Sequence, residues 1–253
     1  MKAMIFAAGL GTRLKPLTDT MPKALVPLAG KPLLQWQVEK LRDAGITDII
    51  VNVHHFPDQI IDTVRAHNGW GCNILISDER DELLDTGGGL RKALSTINFQ
   101  LSPLLACNVD ILSNIDIRAL VDAYARTNVS QLVVSERRTQ RYLCFDQEGL
   151  LRGWTNIATG EVKPASLNQS AHSIVPSLRR LAFSGMQILS PEVLACLEHM
   201  PQTKFSLIDF YLSLCEQNHL SPSLAAFVPE NYRMMDVGKI DQIEEAERFA
   251  ESL

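Results

Sequence analysis

The 253-residue sequence lacks the features of disulfide-rich, zinc-binding or membrane proteins. Its five cysteines are odd in number, widely spaced and without a C-x-x-C pair, which excludes the usual zinc site and argues against a disulfide framework. No apolar run approaches about 18 residues, and the apolar N-terminal run is too short for a signal peptide. We therefore expect no membrane span and a location in the cytoplasm.

The sequence also has little concentrated positive charge. It carries 24 Lys and Arg against 29 Asp and Glu, a formal net charge of −5, and its basic residues form no block larger than pairs such as Arg137–Arg138. A broad basic face for nucleic acid is therefore not expected. An anionic small molecule would have to be held by a few placed cations and backbone N–H groups.

Hydrophobic residues make up 46% of the chain, enough for a large core. Apolar runs and amphipathic stretches alternate from the start. The first predicted elements are a strand at 2–8, a helix at 33–44, a strand at 47–53, a helix at 57–66 and a strand at 72–76. This alternation predicts an α/β fold, a Rossmann-like three-layer sandwich with a mostly parallel central sheet.

The second half of the chain continues the pattern less regularly. We predict a loop at 86–89 that feeds a helix at 90–94, a strand at 104–109, a helix at 117–126, a strand at 131–135, helices at 189–200 and 208–215, a strand at 225–228 and a helix at 240–249. Residues 141–182 are polar and mixed, and we expect a hairpin or an insertion there. Residues 1–253 are expected to form a single domain.

The most informative segment is rich in glycine and lies between the first strand and the first helix. It reads G-L-G-T-R-L-K-P-L-T from Gly9 to Thr18, and M-P-K follows, ending at Lys23. Open α/β sheets bind ligands at the carboxyl edge of their strands, and glycine lets backbone N–H groups approach a phosphate. Arg13 can bind phosphate oxygens in a fork, and Lys23 can supply a point charge.

Familiar phosphate-binding motifs fit this segment poorly. A P-loop requires G-x-x-x-x-G-K-[ST], which is absent, and the dinucleotide motif G-x-G-x-x-G fails because its last position is Leu14. A lone G-x-G could be merely a tight strand-to-helix turn. The longer string G-x-G-T-R-x-x-P-x-T with a following P-K is far more specific.

The string A-A-G-L-G-T-R-L-K-P-L-T-D-T-M-P-K-A-L-V-P, from Ala7 to Pro27, resembles the signature of the nucleoside-diphosphate-sugar pyrophosphorylases, which are sugar-1-phosphate nucleotidyltransferases. Later motifs resemble those of the same family and follow in its order. They are T-G-G-G at 86–89, N-V-D at 108–110, F-S-G-M at 183–186 and D-V-G at 236–238. The resemblance therefore covers nearly the whole chain.

The resemblance implies a reaction in which a sugar 1-phosphate oxygen attacks the α-phosphorus of a nucleoside triphosphate and pyrophosphate leaves. It implies that Arg13 and Lys23 are the catalytic cations and that Asp110 and Asp236 hold Mg²⁺, whose preferred ligands are oxygens. The implied nucleotide-binding residues are Ala7, Ala8, Gly9, Gly11, Thr12, Thr86, Gly87, Gly88 and Asn108. The implied sugar-phosphate-binding residues are Gly185 and Lys163.

Other interpretations of these residues stay open. Asp110 could cap a helix, Asp236 could begin a turn, and residues 86–89 could form a hinge. The sequence also departs from the family pattern, because Val109 replaces a glycine and the E-K-P segment is represented only by E-V-K-P at 161–164. Residues 152–156 could take the place of that segment.

The substrates are less well defined than the reaction. Thr86 to Gly89 and the compact length resemble N-acetylmuramate-1-phosphate uridylyltransferases most, so UTP is preferred over GTP, which mannose- and heptose-1-phosphate guanylyltransferases use. A binding regulator without turnover is a minor alternative. We expect no C-terminal β-helix and a monomer or homodimer.

Overall fold

The computed structural model describes residues 1–96, 102–169, 177–216 and 222–253. The strands in these ranges are β1 (Lys2–Phe6), β2 (Pro27–Leu28), β3 (Lys31–Pro32), β4 (Asp48–Val53), β5 (Asn73–Asp78), β6 (Leu104–Asn108), β7 (Ile111–Ser113), β8 (Ser130–Ser135), β9 (Arg141–Phe145), β10 (Leu151–Asn156), β11 (Glu161–Lys163), β12 (Arg179–Leu189), β13 (Leu224–Phe227) and β14 (Met234–Asp236). The helices are α1 (Leu33–Asp43), α2 (Pro57–Ala66), α3 (Asp85–Thr96), α4 (Ile117–Thr127), α5 (Ser166–Gln169), α6 (Pro191–Cys196), α7 (Leu207–Glu216) and α8 (Ile243–Glu251).

Ten of these strands form one mixed sheet around β1. Its main order is β11-β10-β9-β12-β6-β1-β4-β5, and β8 pairs with both β12 and β13. β6, β1, β4 and β5 run parallel, whereas β12 is antiparallel to β6 and opens an antiparallel extension through β9, β10 and β11. The chain winds from β1 to β4 and β5 on one side and later reaches β6 on the other. The carboxyl end of β1 is therefore a topological switch point, where open sheets bind ligands.

The sheet carries a hydrophobic core on each face, so the fold has three layers. Along β1, Ala3 and Ile5 belong to one core, and Met4 and Phe6 belong to the other, because successive strand side chains point to opposite faces. α1, α2, α4 and α8 contribute to the first core, and α3, α6 and α7 to the second. The predicted α/β three-layer fold is confirmed.

Most predicted elements match the structure to within about two residues, including every strand and helix predicted before residue 80. The region predicted as a hairpin or insertion, 141–182, contains the antiparallel strands β9, β10 and β11 and the start of β12. Residues 170–176 of that region lie outside the described residues. The short pairs β2–β3 and β7–β14 were not predicted, because runs of two or three residues show no periodicity.

The prediction of a helix at 189–200 is wrong at its start. Leu189 is the last residue of β12, and α6 begins only at Pro191. Pro191 has no N–H to continue a strand ladder, and the Ser190 hydroxyl oxygen accepts a hydrogen bond from the Val193 N–H at 3.4 Å, which caps the helix. β12 is not predicted from the sequence, because Gly185 interrupts its apolar run.

The cysteines behave as the sequence predicts. All five are free, and Cys107 and Cys144 are buried. Burial raises the pKa of the Cys107 thiol to about 12, as expected for an inert core residue. Among the described helices, none has the length and apolar character needed to cross a bilayer.

The glycines at 87–89 do not form the predicted loop; they lie in the first turns of α3. The Gly87 and Gly88 N–H groups both donate to the Phe205 carbonyl oxygen, at 2.9 and 3.2 Å. A Cβ on Gly87 would stand 2.4 Å from the Phe205 ring, and one on Gly88 would stand 2.3 Å from the Thr203 carbonyl oxygen. Glycine is needed here because the 203–205 segment packs directly on the helix backbone.

We predict that Gly88→Ala destabilises the protein by about 1–3 kcal/mol, although alanine is the better helix former, because its methyl group displaces the backbone of Thr203. The free energy of unfolding, measured by denaturant titration, checks the prediction. Ser95→Ala, at an exposed position of the same helix, is the control for helix propensity. A Gly88→Ala protein as stable as wild type would contradict this account of the glycines.

Candidate active site

The glycine-rich segment leaves β1 at the switch point and folds back on itself through three short 3₁₀ turns. Gly11 has φ 63°, and a Cβ there would lie 2.8 Å from Thr18 Cγ2 and 3.1 Å from Lys23 Cβ. The Thr18 hydroxyl donates to the Gly11 carbonyl oxygen at 2.9 Å. Glycine at position 11 therefore lets the loop close against Thr18 and Lys23.

Lys23 connects this loop to the end of β6. Its ammonium group forms an ion pair and hydrogen bond with the Asp110 carboxylate. The two side chains are only 11% and 18% exposed, so solvent screens their attraction weakly. The structure thus joins a predicted catalytic cation and a predicted metal ligand, which lie far apart in the sequence.

Asp236 reaches the same edge on a separate two-stranded ribbon. β14 pairs with β7, with Asp236 opposite Ile111, and the Val237 N–H donates to the Asp110 carbonyl oxygen at 2.9 Å. Arg13 Nη2 lies 3.9 Å from Asp236 Oδ2. A Cβ on Gly238 would stand 2.7 Å from Arg13 Nη2 and 2.6 Å from Asp236 Oδ1, so glycine in D-V-G makes room for this pair.

The two carboxylates influence each other. Burial and the neighbouring Asp110 carboxylate raise the pKa of Asp236, whereas Lys23 and Arg13 lower it. A divalent cation between the two aspartates would relieve their repulsion, and carboxylate oxygens are the ligands that Mg²⁺ takes together with substrate phosphates. In the described residues, no group of three or more His, Cys, Asp and Glu side chains is arranged to hold a metal. Asp110 and Asp236 present carboxylate oxygens that could hold Mg²⁺ together with oxygens of a substrate.

Two residues of α1 hold the strand that follows Asp110. Gln37 Nε2 donates to the Ile111 carbonyl oxygen at 2.7 Å, and the Lys40 ammonium donates to the Ser113 carbonyl and hydroxyl oxygens. Burial lowers the pKa of Lys40 to about 8. These side chains fix the position of β7, and through it the ribbon that carries Asp236.

A cavity of about 350 Å³ opens beside the glycine-rich loop. It is lined by Phe6, Ala8, Gly9, Asn52, Leu83, Asp85, Thr86 and Lys204. Its size and its mix of apolar walls and a few polar groups suit a nucleoside-sized ligand. Thr86 also accepts a hydrogen bond from the Leu207 N–H at its hydroxyl oxygen, at 2.9 Å.

Of the predicted nucleotide-binding residues, the structure brings Ala8, Gly9 and Thr86 to the cavity wall. The buried faces of Gly87 and Gly88 point instead to the 203–205 segment. Thr12 lies in the first 3₁₀ turn and Ala7 at the buried end of β1.

Gly185 and Lys163, the two residues predicted to bind the sugar phosphate, lie in different parts of the sheet. Gly185 has φ 69°, lies at an irregularity of β12, and a Cβ there would stand 2.9 Å from Asn108 Nδ2. Gly185 and Asn108 are therefore neighbours at the end of β6. Lys163 lies on the edge strand β11, separated from β6 by three strands, where it pairs with Glu161 at 3.2 Å and stands 5.6 Å from the Trp154 ring centre.

Sequence reasoning missed the cavity-lining polar residues Asn52, Asp85 and Lys204, and Glu79, which contacts Asn52. Asn52 has a recognisable signal, because it interrupts the apolar run I-I-V-N-V near the carboxyl end of a buried strand, as Asn108 does in its own strand. Glu79 follows β5 and is fully buried, whereas Lys204 lies in a segment without regular structure. Nothing in the sequence distinguishes these two from surface charges.

The sequence is similar to those of several known proteins. The chain is 44% identical over 119 residues to the N-acetylmuramate alpha-1-phosphate uridylyltransferase of Neisseria meningitidis serogroup B, a match that spans 47% of the chain and about half (51%) of that relative. It is 32% identical over 225 residues to the protein of the same name from Caulobacter vibrioides, covering 84% of the chain and 83% of the relative. It is 30% identical over 240 residues to the mannose-1-phosphate guanyltransferase of Kluyveromyces lactis, covering 94% of the chain but 62% of the relative.

The fold also matches a solved structure, HddC from Yersinia pseudotuberculosis complexed with GMP-PN, with a TM-score of 0.74 and 24% identity over 98% of this chain and 99% of that one. The family model described as nucleotidyl transferase matches residues 2–252. Because that match spans nearly the whole sequence, the chain belongs to the nucleotidyl transferase family.

Proposed function

We propose that the protein transfers a nucleotidyl group from a nucleoside triphosphate to a sugar 1-phosphate, releasing pyrophosphate. The observation that carries the proposal is the meeting of two carboxylates and two cations, Lys23 with Asp110 and Arg13 with Asp236, beside a nucleoside-sized cavity. Both substrates are anions, so positioning and charge neutralisation supply most of the catalysis. This site offers the groups for both tasks.

The two cations have different tasks. Arg13 is 59% exposed and free to turn toward the β- and γ-phosphates, which its planar guanidinium can bind in a fork. Lys23 is buried against Asp110 and supplies a point charge for the α-phosphate or the sugar phosphate. Neither residue forms a covalent bond with substrate.

Asp110 and Asp236 hold Mg²⁺ in this proposal. Nucleotidyltransferases of this family generally use that ion. When bound, it would neutralise charge on the phosphates. With the ion held by Asp110 and Asp236, Lys23 would be available to the substrate phosphate.

The triphosphate lies along the glycine-rich loop, with its base and ribose in the cavity. Ala7, Ala8, Gly9, Gly11 and Thr12 form the loop side, Thr86 lines the cavity, and Asn108 lies opposite Phe6 at the end of the neighbouring strand. Gly87 and Gly88 contribute indirectly, because they let the 203–205 segment pack against α3.

The sugar 1-phosphate lies on the β12 side. Gly185 lets β12 pack closely on the end of β6, since a Cβ there would stand 2.9 Å from Asn108 Nδ2 and 3.1 Å from Ile111 Cγ1. Lys163 lies on β11, three strands from β6, so in this proposal it would contact the sugar phosphate from the β9–β11 extension.

UTP and an N-acetylmuramate-like hexose 1-phosphate are the preferred substrates. The names of the two bacterial relatives support them. The alternative is a GTP-dependent mannose- or heptose-1-phosphate guanylyltransferase, which the name of the Kluyveromyces relative supports. The use of nucleoside triphosphates favours a cytoplasmic location.

The deciding experiment measures pyrophosphate release. The protein is incubated with Mg²⁺, each of UTP, GTP, CTP, ATP and dTTP, and a panel of sugar 1-phosphates that includes N-acetylmuramate, mannose and heptose. Release with UTP and N-acetylmuramate 1-phosphate is expected. Release with GTP and mannose or heptose 1-phosphate would favour the alternative, and no release in any combination would contradict the proposed reaction.

We predict that Asp110→Asn lowers kcat by about 10²-fold or more, because it removes a metal ligand and the partner of Lys23 while keeping the side-chain shape. Steady-state kinetics at saturating Mg²⁺ checks it. Asp116→Asn is the matched control, since asparagine still caps α4 in place of an aspartate outside the site. Near-wild-type turnover by Asp110→Asn would remove Asp110 from the metal site.

Arg13→Lys should lower kcat/KM for the triphosphate by about tenfold or more, or ~1.4 kcal/mol, because lysine keeps the charge but cannot form the fork. The control is Arg65→Lys, an exposed arginine on α2 that also lies 3.9 Å from an aspartate. If Arg13→Lys and Arg65→Lys both retain wild-type kcat/KM, Arg13 does not bind the triphosphate.

A further inference from the structure

A chain of hydrogen bonds runs through the protein interior between the two walls of the cavity. The Ala7 N–H donates to Asn52 Oδ1 at 2.8 Å, and Asn52 Nδ2 donates to Glu79 Oε1 at 2.7 Å. Glu79 Oε2 accepts from the Leu84 N–H at 3.2 Å. One carboxyl group thus connects the end of β1 with the residue that precedes α3.

Both bridging side chains are enclosed by protein. Asn52 is 2% exposed and Glu79 is fully buried. A Cβ on Gly89 would lie 2.6 Å from Glu79 Oε1 and 2.9 Å from Asn52 Nδ2, so the third glycine of T-G-G-G provides the space for this contact. A buried carboxyl group is a poor source of stability compared with apolar packing, because its desolvation is costly. Because Glu79 adds little stability, we expect its carboxyl group to position the groups that it contacts.

The two ends of the bridge lie next to cavity-lining residues. Ala7 precedes Ala8 and Gly9, and Leu84 lies between Leu83 and Asp85. We infer that Glu79 is a positioning residue for the triphosphate site: acting through Asn52 and the Leu84 amide, it holds the glycine-rich loop and the start of α3 at the separation that the nucleotide requires. The inference rests on the proposed function, because it takes the cavity to be the nucleotide site.

The order of donors and acceptors makes the bridge testable. Ala7 and Leu84 each donate a hydrogen bond through a backbone N–H group. The two side chains between them must therefore offer an acceptor oxygen at each end, and one of them must donate to the other in the middle. Glu79→Gln places an amide group between two donors, and one hydrogen bond is lost. Asn52→Asp sets two carboxyl groups against each other.

The double variant Asn52→Asp/Glu79→Gln restores the pattern. The new aspartate accepts from Ala7 and from the new glutamine amide, and the glutamine oxygen accepts from Leu84. The net charge and the number of hydrogen bonds equal those of wild type. A residue with only a space-filling role would show no such rescue.

The experiment compares wild type, both single variants and the double variant. One readout is the amide hydrogen exchange of Ala7 and Leu84 in the substrate-free protein. The other is the dissociation constant for Mg²⁺-UTP and for Mg²⁺-GTP, together with KM for the sugar 1-phosphate. Ser130→Ala is the matched control, since it removes another buried acceptor, that of the Ser190 N–H at 2.8 Å, at the opposite edge of the sheet, where Leu189 pairs with Leu104.

We expect each single variant to lose exchange protection at Ala7 or Leu84 and to bind the triphosphate about tenfold or more weakly. KM for the sugar 1-phosphate should change by less than about twofold, and the double variant should return within about threefold of wild type. Ser130→Ala should bind the triphosphate as wild type does.

Wild-type triphosphate binding by a folded Glu79→Gln protein would overturn the inference. If Glu79→Gln does not fold, a folded double variant that binds triphosphate as poorly as Asn52→Asp would overturn it as well. Unchanged exchange at Ala7 and Leu84 in both single variants would exclude the bridge itself. A wild-type protein that binds no triphosphate would contradict the proposed function instead, and the exchange readout would still decide whether the bridge exists.

Discussion

The arrangement of the site depends on the parallel pairing of β1 with a strand on each side. Phe6 lies opposite Asn52 of β4 and opposite Asn108 of β6, so three strands end at the same level. Their carboxyl ends place the glycine-rich loop between Asn52, which lines the cavity, and Asp110, which follows Asn108. A shift of either neighbour by one residue would turn its side chains to the other face and separate these groups.

Before substrate binds, the site keeps its charges in pairs. Lys23 neutralises Asp110 in a partly desolvated position, and Arg13 lies near Asp236 at the more exposed side. No charge of these two pairs is both buried and isolated, which would be costly. Arg13 is the more exposed cation and Lys23 the more buried one.

The sequence was sufficient to predict the parallel half of the fold, because each strand there contains a short apolar run and each helix has one apolar face. It was insufficient where short or polar segments depend on distant partners. β14 forms only because β7 lies beside it, and the glycines at 87–89 belong to a helix whose packing partner, the 203–205 segment, comes over a hundred residues later. The site motifs predicted the four charged residues one by one, but the pairing of Lys23 with Asp110 and of Arg13 with Asp236 appears only in the structure. Glu79 became recognisable only from its burial and its contact with Asn52.

The ribbon of β7 and β14 has a consequence for biosynthesis. Chains emerge from the ribosome N-terminus first, and the part that carries β1, β4, β5 and β6 can pair while the remainder is still being made. Asp236, in contrast, cannot meet Asp110 until β14 has been synthesised. During translation Lys23 and Asp110 are therefore made before Asp236, and the proposed metal site is completed only when β14 pairs with β7.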